Sequence, residues 1–124
     1  MTNTKTSGLE GLALDWAVAQ CEFVEVEYVD DEITQCLLQK PSGRYAPSTD
    51  WAQCGPIIER EGIGIWPSES GEHDGEWCAR TISTYITYSP TPLVAAMRCY
   101  VASKLGDEVD IKYNEESSGR FSED

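Results

Sequence analysis

Ser48, Thr49 and Asp50 stand in a row before a helix-like segment, and with Tyr45, Trp51 and Arg60 they are the candidate binding residues of the chain. A loop entering a helix start offers free backbone N–H groups to an anion and places polar side chains where they can act on a ligand. The same residue types also serve as helix caps, and Asp50 with Gln53 has the separation of a capping box. Both uses stay open. Trp51 and Trp77 suit a core, although an exposed tryptophan can also anchor an interface. Arg60, Arg80 and Arg98 read as surface ion-pair partners rather than a phosphate site in so acidic a chain. Asp15 is anomalous as a carboxylate inside an apolar helix; capping or pairing with a neighbouring arginine is open to it, and the sequence does not decide.

Nucleophilic and metal chemistry find little to work with. The five cysteines, Cys21, Cys36, Cys54, Cys78 and Cys99, are odd in number and never form a C-x-x-C pair, so neither a disulfide framework nor a zinc site is encoded. The single histidine, His73, lies in the acidic loop SESGEHDGE, where it is expected to be exposed and mobile rather than a base for a thiol. No metal and no cofactor is called for. A net charge of −13 disfavours direct contact with nucleic acid or an anionic membrane and favours basic protein partners.

The elements that must position these residues follow from periodicity. Ser7 and Glu10 have capping-box spacing, and from Leu9 the apolar residues recur at helical intervals with so wide an arc that the first helix should be buried on most of its circumference, leaving Glu10, Asp15 and Gln20 for solvent. Val24, Val26 and Tyr28 alternate with Glu25, Glu27 and Asp30, the period of a half-buried strand, and residues 33–38 suit a second. Glu25, Glu27, Asp30, Asp31 and Glu32 would form an acidic outer face. A second helix should start near Ser48 and stop at Gly62, kinked or split by Pro56. Residues 63–66 and 76–86 read as strands, Thr91 and Pro92 as the start of a third helix ending at Gly106, and residues 108–113 as a last strand. The stretches Tyr45 to Gly62 and Tyr88 to Gly106 share a layout, which fits either a diverged repeat or a common way of leaving a strand for a helix.

The expected fold is α+β: a mainly antiparallel sheet with three helices packed against it, in the order α-β-β-α-β-β-α-β, compatible with an α/β/α sandwich. At 124 residues the chain is one domain, 7–113, with a loose N-terminus over 1–6 and an acidic disordered tail over 114–124. The start MTNTKTSG has no signal-peptide apolar region, and no run is long enough to span a bilayer, which points to the cytosol.

The motifs GLALDWAVA, YAPSTDWAQCGPIIEREGI and TPLVAAMRCYVASKLGDEV together resemble the NinX family of small tailed-phage proteins and, more distantly, the phage proteins described as an α/β/α sandwich domain. The resemblance runs from Gly11 to about Val109; Cys54 and the acidic tail depart from it. It implies an accessory phage or prophage protein made in the bacterial host cytoplasm, and it brings no catalytic residues. Three functions follow as expectations. The first is a non-enzymatic module that binds a host or phage protein. The second is an acidic DNA mimic that blocks a nucleic-acid-binding host protein through the acidic face. The third is a small-molecule binder or small enzyme around the second helix start.

Overall fold

A computed structural model of the chain describes residues 3–30, 35–39, 43–69, 71–82, 84 and 86–112. Strand β1 (Asn3–Lys5) leads into a 3-10 turn (Thr6–Gly8) and helix α1 (Gly11–Glu22). Strands β2 (Glu27–Asp30), β3 (Gln35–Gln39) and β4 (Gly43–Arg44) precede α2 (Trp51–Glu61). Strands β5 (Gly64–Pro67), β6 (Trp77–Arg80) and β7 (Thr87–Ser89) precede α3 (Pro92–Leu105), and β8 (Glu108–Asp110) follows it. Among the described residues all pairings are antiparallel and fall into three small sheets, β1-β8, β2-β3-β4 and β5-β6-β7. The fold is thus α+β with the helices in the expected order.

Helix α3 is the centre. Up to its exposed last turn it is buried or half-buried on every side, packing against α1, α2 and the β5-β6-β7 sheet, while α1 packs on α3 and on β3. The layering therefore differs from helices on either side of one sheet: α1 and α3 stand between two sheets. A helix apolar all round cannot lie on a surface, and here two such helices bury each other. One cluster of buried side chains runs through Leu14, Val18, Leu37, Ile57, Met97 and Tyr100.

Local signals set several element ends. Asp50 caps α2 by accepting the Ala52 N–H at 2.9 Å, and Gly62 ends it in the left-handed region. Thr91 caps α3 through the Val94 N–H at 3.2 Å, with Pro92 at the first helical position. Pro56 neither splits nor ends α2. The helix begins at Trp51, so the proline frees only the Ala52 carbonyl, and Ala52 is exposed to water.

Elsewhere tertiary contacts override local expectation. The N-terminal stretch is not loose from Asn3 onward, because β1 pairs with β8 and buried Thr6 donates its hydroxyl to the Gly106 carbonyl at 2.6 Å. Ser7 does not cap α1; it sits in the 3-10 turn, and Glu10 precedes the helix without a side-chain bond. Leu9 is buried there, and its carbonyl accepts Arg98 Nε at 2.7 Å. The strand expected over 76–86 stops at Arg80, where the Thr84 hydroxyl takes the Thr81 N–H at 3.0 Å and turns the chain before β7. The expected strand start at Val24 is also late, since Val24 N–H still bonds the Ala19 carbonyl behind the end of α1. The acidic-face residues Asp31 and Glu32, and the tail 114–124, lie outside the described residues.

Candidate functional site

Tyr45, Ser48 and Thr49 line one cavity of about 220 Å³, opposite Gly11, Leu12 and Asp15 of α1 and residues 35–37 of β3. Leu12 and Asp15 are three apart on α1 and so share a face. The opposite wall is held by Gln53, whose amide accepts the Ala46 N–H at 2.8 Å and donates to the Arg44 carbonyl and to Asp50 Oδ2, both at 3.0 Å. That clamp, not a reciprocal capping box, is the role of Gln53. It fixes the turn that carries Ser48.

Asp15 is not left to solvent, as its place in the helix suggested; it is 3% exposed. Its Oδ1 accepts the Ser48 backbone N–H at 2.8 Å. Burial pushes its carboxyl up from 3.8 to about 6, although the Ser48 N–H and the nearby Ser48 hydroxyl both favour the charged form. The hydroxyl lies near the carboxylate without hydrogen-bond alignment: Ser48 is 2% exposed and its Oγ has no partner. A buried carboxylate and a buried hydroxyl thus lie side by side next to the cavity.

A second concavity, about 460 Å³, forms where the three helices end. Arg60 near the end of α2 donates to both oxygens of Glu22 at the end of α1, at 3.3 and 2.5 Å, and through Nε to Glu61 at 2.8 Å. The Tyr100 hydroxyl donates to Glu22 as well, and Lys104 of α3 lies 3.5 Å from Glu61. Burial, the largest single influence on Glu22, pushes its carboxyl up, but the bonds from Arg60 and Tyr100 together outweigh it and hold it below the usual range. Arg60 is therefore the ion-pair residue expected, far from the Ser48 turn. Phe23, which follows Glu22, is 95% exposed, and Leu105 across the groove is 41% exposed.

The remaining expected residues scatter. Asp50 is a cap. Trp51 is 58% exposed rather than core, because the first residue of α2 projects outward beside the cap. Trp77 is half-buried against the core. Glu25, Glu27 and Asp30 are exposed, yet Glu27 and Asp30, three apart on β2, project to opposite faces. His73 is not a bare loop residue: its ring stacks on Tyr88 at 3.6 Å and Nδ1 lies 2.8 Å from Glu76. Arg98 is not a surface ion-pair partner either. Its guanidinium ties the Leu9 carbonyl to the Tyr88 carbonyl. Burial pushes the Cys21 and Cys54 thiols up to about 12, the opposite of activation. Among the described residues no group of three His, Cys, Asp or Glu side chains is placed to hold a metal ion.

Phe23, Tyr100 and Leu105 were not singled out by sequence reasoning as site residues. An aromatic residue just past the last helical glutamate, without a glycine to end the helix, was the available signal for Phe23.

The class of protein these features define is a small antiparallel α+β protein built round a buried helix, with a small cavity beside α1 and a larger groove at its helix ends. The family model described as "Bacteriophage P22, NinX" matches residues 5–104, and the chain belongs to that family of phage proteins. No curated protein matches the chain. Among the described residues no helix is long and apolar enough to cross a membrane.

Proposed function

We propose that this phage protein is a non-enzymatic interaction module that works in the bacterial host cytoplasm, binding a host or phage protein through the groove at its helix ends. The observation that carries the reading is Phe23. A phenylalanine at φ 57° is unfavourable for a residue with a side chain, and 95% exposure forgoes the burial that normally offsets such strain. An exposed aromatic beside a second apolar residue, ringed by charged groups, has the composition of a binding hot spot. The net charge of −13 steers a basic partner toward the chain, and Phe23 with Leu105 anchors it locally.

The test is capture from infected-cell lysate with tagged wild-type chain and with Phe23→Ala, each at low and high salt, read by mass spectrometry. A partner held by wild type, lost by more than tenfold with Phe23→Ala and weakened by salt, supports the reading. Identical retention by the two chains rules out the groove as the docking surface.

A further inference from the structure

The sheet β5-β6-β7 gives one face to α3 and turns the other outward. Its register sorts the side chains into rows: Ile65, Ala79 and Thr87 form the inner one, where Ala79 is fully buried and Thr87 Oγ1 donates to the Ala95 carbonyl of α3 at 2.8 Å. The neighbouring row, Trp66, Cys78 and Tyr88, therefore points away from α3. Along it runs a concavity of about 500 Å³, floored by Cys78 of the middle strand and walled by Trp66 and Pro67 on one side and by Ile86 and Tyr88 on the other. The outer strands stand roughly 10 Å apart across β6, a gap that two aromatic side chains narrow to the width of one ring. Both walls are braced. The Trp66 ring leans over Gly64, where no side chain is in its way, and His73 stacks on Tyr88 at 3.6 Å from the neighbouring concavity.

The ends of this groove carry opposite charges. Exposed Glu69 lines one end, where Glu76 is already engaged by His73; exposed Arg80, opposite Gly64 and on the same face as Cys78, stands at the other. The floor strand β6 spends its backbone on β5 and β7, so it has none left to pair with an added strand. A segment docked here must satisfy its own backbone, which favours the polyproline II conformation: its peptide groups stay in water, and each proline has no N–H to leave unpaired. We infer that this face docks an extended, proline-containing segment of a partner protein, with a proline ring between Trp66 and Tyr88, a basic residue at Glu69 and an acidic residue at Arg80. Aromatic-lined grooves take such segments because the ligand is already ordered before it binds. From the Gly64 row to Ser68, which bonds the Glu76 carbonyl, the strand covers roughly 13 Å, and about five residues of polyproline II span that length. The face shares no lining residue with the helix-end groove and stands or falls independently of it.

The test is an NMR titration of the full chain with the capped peptide Lys-Pro-Pro-Pro-Asp, with Lys-Ala-Ala-Ala-Asp and Lys-Pro-Pro-Pro-Lys as controls. The first peptide should shift Trp66, Cys78 and Tyr88, and the alanine peptide should bind about tenfold more weakly. Trp66→Ala, checked as folded by its amide spectrum, should lose about tenfold or more, and Phe23→Ala should change nothing. Arg80→Glu supplies the decisive reversal: that chain should prefer the peptide with lysine at both ends, which wild type binds more weakly. No shift on this face at millimolar peptide, equal binding of the alanine peptide, or an Arg80→Glu chain that keeps the wild-type preference would overturn the inference. Shifts confined to the helix-end groove and lost with Phe23→Ala would do the same.

Discussion

Helix α1 carries two acidic residues about two turns apart on nearly one face, Asp15 and Glu22, and the protein treats them in opposite ways. Glu22 sits at the helix end, where Arg60 and Tyr100 reach it and hold it ionised. Asp15 sits in the second turn, where burial resists ionisation and only the Ser48 turn offsets it. One carboxylate ties three helices together; the other is held at a cost beside an open cavity. An apolar residue in its place would leave the buried Ser48 N–H without an acceptor, so the cost of burying the carboxylate is tied to holding that turn.

The largest effect should come from removing the Asp15 charge. Its folded-state pKa lies above the unfolded value, so the folded chain holds the proton more tightly and acid stabilises it. The contribution grows as pH falls through about 6 and is complete near 3.8. The difference corresponds to at most roughly 3 kcal/mol. Asp15→Asn should therefore raise stability at pH 8 by a sizeable part of that amount and flatten the pH dependence between 4 and 7, measured by urea denaturation. Lower stability of the Asn variant at pH 8 would show that the ionised carboxylate is stabilising after all.

Glu22→Gln should act in the other direction. The Glu22 carboxyl is held below its usual 4.5, so its contribution is present above that value and is lost as pH falls through the lower folded value. Because the Arg60 side chain is half exposed, water screens the pair, and the loss at pH 7 should be only about 1 kcal/mol. The variant and wild type should converge once pH has fallen through that lower folded value. A double-mutant cycle with Tyr100→Phe should show coupling, since one hydroxyl serves both Glu22 and Arg60.

The contrast was only half legible in the sequence. Features set by neighbours along the chain could be read directly: Asp50 and Thr91 as caps, Gly62 and Gly106 as stops, and the helix order. Asp15 stood out because a carboxylate interrupts an apolar helix, but its partner lies thirty-three residues away in a turn shaped by the Gln53 clamp, and no local rule connects them. Arg98 reads as an outward charge until the N-terminal segment brings the Leu9 carbonyl to it, eighty-nine residues distant. The strand Asn3–Lys5 has no pattern of its own; pairing with β8 creates it. Thr81 and Thr84 favour a strand by composition, and the side-chain bond between them makes a turn instead. The candidate binding residues fared similarly. Three of the six, Tyr45, Ser48 and Thr49, meet at one cavity because one short turn carries them, while Asp50, Trp51 and Arg60 follow the helix away from it.

The smallest effect sharpens the comparison at the end of α1. Phe23 and Gly62 both end helices in the left-handed region, at φ 57° and 68°, but only glycine adopts it without a steric penalty. Replacing Phe23 by glycine removes a nearly fully exposed ring, so little packing is lost. The relief of roughly 1 kcal/mol is partly offset by the greater freedom of glycine in the unfolded chain, leaving a net gain of about 0.5 kcal/mol. Phe23→Gly should thus raise the denaturation midpoint slightly while abolishing partner capture. A destabilised Phe23→Gly chain would mean that the ring contributes to the fold, and the case for it as a binding anchor would lose its main support. A stabilised variant that still captures the partner would separate the strain from binding and move the docking surface to another part of the molecule.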